Sequence, residues 1–399
     1  AMFNHPTFDP EIFARGISQA EWDALSTHTD HPLEDKDIRG IYPPGSTYKL
    51  FTAAAGLGEG VIDAKTSFTC TGSLRFAGQD RRCWNKRGHG PVSLHKAIQQ
   101  SCDVYFYNVA MRLGVDKLAK YAKSFGLGAP TGIGLNNEKG GLIPTSEWKR
   151  IVKREEWQEG ETLSIGIGQG FDLVTPLQLA VAYAALANGG RVMEPHLVEQ
   201  VVGPDGKVVW EQTPKVRGEA LIKPEHLKLL QDGLFAVVNE PGGTAYWTGR
   251  LDEVRLAGKT GTSQVFRQEE RWAKGEEIPY ALRDHALFAS YVPVENPELA
   301  IAVIVEHGEH GSSTAAPIAK AVVEYWYRND IAAKRAEKVD RRPVATPVPS
   351  PTPDAGAAPA DTPPEAPSTP VPPDEADAPI VTPEPDGTPD AAPDGEVLH

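Results

Sequence analysis

The chain has 399 residues, with 40 Lys and Arg against 54 Asp and Glu and a formal net charge of −14. No cluster of Lys and Arg of the kind that grips a phosphate backbone occurs, which excludes nucleic acid as a partner. No run of about 18 apolar residues is present, so the sequence holds no membrane-spanning helix, and its opening residues do not read as a signal peptide.

Residues 6–40 read as an irregular lead-in with short helices, one of them around Ser18 to Leu25. Tyr42-Pro43-Pro44-Gly45 precedes an apolar run (Leu50, Ala54, Leu57), the pattern of a helix start, and predicts a helix over 44–57. Residues 61–92 carry Gly, Arg and Cys with little periodicity. Ser93 reads as the N-cap of a short helix ending near Ser101. A second helix follows, with Val104, Tyr105, Val109 and Leu113 inward and Gly114 as its stop. Asp116 begins another, closed by Gly126. Thr175-Pro176 gives an N-cap and a first-turn proline to a helix that Gly189-Gly190 ends. The period then changes: 256–265, 286–292 and 299–305 alternate or are apolar throughout, as strands are. Thr314 to Tyr327 closes the domain as an amphipathic helix. The pattern is an α/β domain, a sheet with helices packed on it and a helical lobe inserted, over residues 1–338. Beyond Arg342 there is no Lys or Arg, and Pro, Ala, Asp and Glu dominate. Such a segment cannot bury enough apolar surface to offset its ordering entropy. Residues 339–399 are therefore expected to be a disordered acidic tail, which carries most of the net charge and leaves the rest close to neutral.

Three short motifs carry the chemistry. In Ser46-Thr47-Tyr48-Lys49 the serine and lysine are three apart and share one helix face. A free serine is a weak nucleophile until an adjacent base takes its proton. A lysine can be that base when burial or a second cation lowers its pKa. Ser101-Cys102-Asp103 follows at a helix-sized distance, and Lys259-Thr260-Gly261-Thr262 comes after a short apolar stretch. Ser-x-x-Lys, Ser-Asp-Asn and Lys-Thr-Gly in that order form the set of serine β-lactamases and penicillin-binding proteins, and Ser101-Cys102-Asp103 departs from its middle element.

From about Pro6 to about Arg328 the chain resembles the transpeptidase domain of class B penicillin-binding proteins, above all the elongation type, penicillin-binding protein 2. Besides the three motifs the likeness includes Gly132-Ile133-Gly134-Leu135, Glu147-Trp148-Lys149, Gly166-Ile167-Gly168-Gln169-Gly170 and Thr175-Pro176-Leu177-Gln178. It continues through Pro195-His196-Leu197, Gly243-Thr244-Ala245 and Arg283-Asp284-His285. The resemblance implies an antiparallel sheet flanked by helices and a peptidoglycan D,D-transpeptidase that β-lactams acylate. Ser46 would attack the penultimate carbonyl of a D-Ala-D-Ala stem peptide, with Lys49 as base and Ser101 relaying the proton. Lys259 would add positive charge that favours a neutral Lys49. Main-chain N–H groups of Ser46 and Thr262 would receive the oxyanion. Asp103, Thr260, Gly261 and Thr262 would bind substrate, Gly261 by letting the peptide lie close. The resemblance also implies a membrane glycosyltransferase and a cell-elongation complex as partners, on the periplasmic side of the inner membrane. It places a membrane anchor and a strand pair upstream, with Ala1-Met2-Phe3 as the end of the second strand. On that basis the fragment holds about three strands of the sheet, with 299–305 at an edge.

The cysteines Cys70, Cys83 and Cys102, with His89, form Cys-x12-Cys-x5-His-x12-Cys. Three sulfurs and an imidazole are a common closed zinc environment, and elongation-type relatives can carry metal ligands here. A Cys70–Cys83 disulfide with Cys102 free, or three unlinked thiols, are the alternatives, and His95 is a rival for His89. The acyl transfer itself needs no cofactor. On function, the alternatives to transpeptidation are hydrolysis, as a D,D-carboxypeptidase or β-lactamase, and a non-enzymatic penicillin-sensing domain.

Overall fold

The computed structural model describes residues 1–265 and 278–331. The tail expected over 339–399 lies outside them. Three antiparallel strands form the main sheet: β1 (Ala257–Ser263), β2 (His285–Val292) and β3 (Leu299–Val305), in the order β3-β2-β1. Lys259 pairs with Ala289, Gly261 with Leu287, and Ala302 with Ala289 from the other side. The middle strand is buried along nearly its whole length, which a continuous apolar sequence allows when both faces are covered. As expected, β3 stands at an edge, half-buried at every position. Residues 1–4 are not the end of a strand. Asn4 instead hydrogen-bonds the carboxylates of Asp35 and Asp37, at 3.1 and 3.3 Å, and so joins the lead-in.

The expected helix over 44–57 is split. A 3-10 turn, Gly45–Tyr48, runs into α1 (Lys49–Gly58), which is buried from Lys49 to Leu57. The helical lobe supplies α2 (Leu94–Gln99), α3 (Asp103–Leu113), α4 (Val115–Ser124), α5 (Glu159–Ile165) and α6 (Pro176–Ala187). Thr175 and Gln178 cap α6 reciprocally, so that two otherwise orphaned N–H groups find partners. Sequence reading omitted α7 (Pro224–Asn239), although Pro224 in its first turn and buried Leu227, Leu230, Leu234 and Val237 carry the signal. This helix packs on α2, α1 and β1, and α8 (Ala316–Trp326) packs on β2 and β3.

Residues 61–92, read as irregular, contain short strand pairs: Ser67–Cys70 with Gly90–Ser93, and Ser73–Phe76 with Gln79–Arg82. Strands of four residues, two of them largely polar, leave too few positions for a period to show. Two further pairs, Arg191–Met193 with Val216–Glu219 and Gln200–Val202 with Val208–Glu211, were also not anticipated.

Candidate active site

The turn bearing Ser46 is fixed by backbone contact on two sides. Gly45 has φ +53°, and a Cβ there would lie 2.4 Å from the Thr262 carbonyl oxygen. Its N–H donates to the Gly168 carbonyl at 2.8 Å, and a Cβ on Gly168 would sit 2.3 Å from the Gly45 oxygen. Both positions require glycine, for conformation and for space. The Gln169 amide donates to the Thr262 carbonyl at 2.9 Å. The Gly166–Gly170 segment, given no chemistry by the sequence, thus clamps the Ser46 turn to β1. Thr47, Tyr48 and Lys49 are buried while Ser46 is half-exposed. Among the described residues the Ser46 hydroxyl makes no hydrogen bond.

Lys49, completely buried, is held by the second motif. Its Nζ lies 2.6 Å from Asp103 Oδ1, 2.9 Å from the Ser101 carbonyl and 3.1 Å from Ser101 Oγ. The backbone around Ser101 explains how one short motif offers three acceptors to one amine. Ser101 has φ +55°. Its N–H donates to Ile98 at 3.2 Å, and the Cys102 N–H donates to Ala97 at 3.0 Å. Those two bonds around a left-handed residue are a Schellman cap at the end of α2, with serine in the place glycine usually takes. The chain then turns at once into α3, so Ser101 and Asp103 face Lys49 together. A non-glycine residue in the left-handed region stores about 1–3 kcal/mol and persists only where its surroundings hold it.

The third motif approaches from the sheet. Lys259 is fully buried and donates to the Thr260 carbonyl at 3.1 Å. Burial first, and then the Lys49 charge, push its amine well below the ordinary lysine value. Sequence reading expected Lys259 to act on Lys49; the lowered amine seen here is that of Lys259, with the Lys49 charge as its second cause. At Gly261 a Cβ would meet Thr47 Cγ2 at 3.0 Å and the Pro44 oxygen at 3.2 Å, so the missing side chain admits the Ser46 turn. Thr262 is half-exposed at the same edge. Thr244 bonds Thr260 hydroxyl to hydroxyl at 2.7 Å, and its N–H donates to Gln99. Thr244, Gln169 and Trp84 are site residues to which sequence reasoning gave no part in the site. Thr244 and Gln169 lie in segments the resemblance included; Trp84 had no signal beyond its place next to Cys83.

Cys70, Cys83, His89 and Cys102 converge, with one ligand atom from each within 4.8 Å of all the others, slightly wider than the 4 Å expected. All three cysteines are buried and unpaired, so the Cys70–Cys83 disulfide is not formed. His95 is elsewhere, bonded to Glu240. The Cys102 thiol hydrogen bond, aided by main-chain N–H groups of Asn85 and Asp103, holds the Cys83 thiol down to about 7, and as donor of that bond Cys102 is pushed far up. Desolvation lowers the His89 pKa and keeps the ring neutral, as a metal ligand must be. His89 Nδ1 lies 3.6 Å from Cys83 Sγ, and the buried Nε2 has no partner. A readily formed thiolate, two more sulfurs and an orphaned imidazole fit a tetrahedral zinc site once the widest ligand separation, 4.8 Å, closes by about 1 Å.

The model of the penicillin binding protein transpeptidase domain matches residues 1–324. The chain belongs to that family. Peptidoglycan D,D-transpeptidase MrdA of Salmonella typhimurium is 36% identical over 332 residues, which are 82% of this chain and 53% of the relative. The chain spans about half the length of the curated relatives it matches first. Among solved structures, Pseudomonas aeruginosa PBP2 in complex with WCK 5153 has a TM-score of 0.71 at 38% identity, covering 81% of this chain and 67% of that one. Helicobacter pylori PBP2 in complex with MreC also has a TM-score of 0.71, at 31% identity, covering 82% and 57%. These likenesses agree with the elongation type. The fold is the one expected: antiparallel strands with helices against them.

Proposed function

We propose that the domain is a peptidoglycan D,D-transpeptidase working through an acyl-enzyme on Ser46. The observation that carries this reading is the Lys49 amine, one residue past the Ser46 turn and gripped by Ser101 and Asp103. In the first half-reaction Ser46 Oγ bonds to the penultimate D-Ala carbonyl carbon, and the bond to the terminal D-Ala nitrogen breaks. The proton from Ser46 passes through Lys49 and the Ser101 hydroxyl, which both accepts and donates, to the departing amine. In the second half an acceptor amine attacks the ester carbon and its proton returns to Ser46. A Ser46–Lys49 hydrogen bond, not made here, forms when substrate binds, as catalytic hydrogen bonds commonly do. Main-chain N–H groups of Ser46 and Thr262 receive the oxyanion, and one such donor is worth about 3–4 kcal/mol. Asp103 orients Lys49. Thr260 and Thr262 take the substrate carboxylate beside Lys259, and Gly261 keeps the strand close to the Ser46 turn. A β-lactam reacts at the first step and remains.

The Cys70, Cys83, His89 and Cys102 cluster is read as a structural zinc centre, which would fix the fold behind Ser101 and take no part in the acyl transfer. The relative solved with MreC and the one solved in a peptidoglycan synthase complex support an elongation complex as partner; a membrane glycosyltransferase within it, on the periplasmic side of the inner membrane, completes the proposal. The substrates are then stem peptides, with β-lactams as inhibitors. The test is covalent labelling with a fluorescent penicillin, followed by turnover of a D-Ala-D-Ala peptide with and without an amine acceptor. Labelling that disappears in Ser46→Ala, and a cross-linked product formed only with the acceptor, are expected. A labelled Ser46→Ala protein would rule out the nucleophile, and rapid hydrolysis without cross-linking would favour a carboxypeptidase or β-lactamase.

A further inference from the structure

Trp84 follows a cluster cysteine directly, yet its polar atoms are spent on the catalytic motif. Its main-chain N–H donates to Asp103 Oδ2 at 2.9 Å, while the other oxygen of that carboxylate holds Lys49. Its indole Nε1–H is shared between the Gln100 carbonyl at 3.0 Å and the Ser101 carbonyl at 3.1 Å. The Ser101 oxygen is also the one Lys49 grips at 2.9 Å. One residue therefore touches both halves of the motif that positions Lys49.

The same residue is bound to the cluster. Its ring stands edge-on to the His89 imidazole, with centroids 5.4 Å apart. The loop between Cys83 and His89 is closed on itself by Gly88 N–H to the Asn85 carbonyl at 2.9 Å. It is pinned at both ends, by Cys83 N–H to Gly72 at 2.8 Å and His89 N–H to Cys70 at 3.1 Å. Trp84 is 59% exposed, so packing covers less than half of it. Its position depends on the loop, and the loop's position depends on its two ligand ends. The Ser101 turn in turn needs outside support for its left-handed conformation.

We propose that Trp84 is a positioning residue that ties the Cys70, Cys83, His89 and Cys102 cluster to Lys49, through its indole on the Ser101 turn and its main-chain N–H on Asp103. When the cluster is closed by a metal, the loop presents Trp84 and the serine turn is held. When the cluster opens, water replaces the indole at the Ser101 carbonyl and Lys49 loses its fixed acceptors. This rests on the acyl-transfer reading of the site.

Trp84→Phe in the whole chain keeps the aromatic edge on His89 and the main-chain N–H, and removes only the indole donor. With zinc loaded, its rate of acylation by a fluorescent penicillin should fall about 2- to 12-fold, the worth of one hydrogen bond, with zinc content and melting temperature unchanged. Chelation should slow the wild type, and should slow Trp84→Phe by a smaller factor, because the link is already cut. A purely structural tryptophan would leave the two effects multiplicative. An independent reading uses the indole N–H resonances of the eight tryptophans. The one missing in Trp84→Phe should exchange slowly in the zinc-loaded wild type and quickly after chelation. Wild-type acylation in zinc-loaded Trp84→Phe, strictly multiplicative effects, or fast exchange of that resonance in the loaded protein would each overturn the proposal. If the chelated protein unfolds, the loaded-state acylation rate and exchange still decide. A wild type that no penicillin labels would instead count against the acyl-transfer reading.

Discussion

At the lysine of the first motif the distances leave little slack. Nζ has Asp103 at 2.6 Å and Ser101 on two sides, in a pocket with no exposure. Lys49→Ala should therefore slow penicillin acylation roughly 100- to 10,000-fold, the range for losing a general base, measured as the pseudo-first-order labelling rate; a loss under about threefold would remove Lys49 from the chemistry. The residues of the three motifs were legible because each motif is local and its spacing is a helix turn or a strand. Thr244, Gln169 and Trp84 were not, because their partners, Thr260, Thr262 and Asp103, come from other segments and no spacing announces them. Asp172 is a fourth residue that sequence could not single out. It is fully buried, and among the described residues neither of its carboxylate oxygens has a partner, nor has the buried Tyr48 hydroxyl. Desolvation drives its carboxyl well above the usual range. The folded protein holds it neutral where the unfolded chain ionises it. Its contribution is thus complete below the ordinary aspartate value of 3.8 and is lost as pH rises above that, at no more than about 1.4 kcal/mol per pH unit. Asp172→Asn cannot ionise, so its melting temperature should fall less than the wild type's between about pH 5 and pH 8. Parallel curves in a thermal scan would contradict the neutral carboxyl.

Among the elements, those with strong punctuation could be read and those without could not. The capped α6, the Gly114 stop of α3 and the apolar β3 were all marked in the sequence. The turn before α1 was not, because Gly45 adopts its conformation only through backbone contact with Gly168 and Thr262. The four short strands between Ser67 and Ser93 carry no pattern, and their order comes from what they hold. Ser67–Cys70 and Gly90–Ser93 pair so that Cys70 lies opposite Gly90, next to His89. That pairing and the start of α3 deliver three of the four cluster residues, and the loop after Gln79–Arg82 delivers Cys83. If zinc joins these elements, its removal should loosen the segment as a unit. Chelation is expected to lower the melting temperature by on the order of 10 °C, since structural sites are worth several kcal/mol, and to slow acylation in the same samples. Zinc content should be one per chain before chelation, and zinc added back should restore both properties. A zinc-free protein of unchanged stability and reactivity would make the cluster three buried thiols and an imidazole.

On the scale of the whole molecule, the sheet is unevenly covered. β2 is buried between its neighbours, while β3 shows one unpaired edge among the described residues and is half-buried at all seven positions. Beside it an apolar groove is lined by Ala180, Val181, Ala184, Met193, Pro195 and Ala300. A long, apolar strand edge is a template for pairing with another chain, and the Gln200–Val202 and Val208–Glu211 pair adds exposed Val209 and Trp210. The turns that carry Ser46 and Ser101 pack against the rest of the domain, and Lys259 lies on β1 of the same sheet, two strands from that edge. A version carrying an added strand-forming segment ahead of Ala1, able to pair with β3, should self-associate less than this chain. It should also be acylated severalfold faster, which light scattering and labelling rates would show side by side. The extension acts by pairing backbone, so proline at alternate positions of the added segment should cancel the gain. Equal solubility and equal acylation of the two chains would mean that α6, α8 and the groove already satisfy β3, and that the three strands are sufficient for the site.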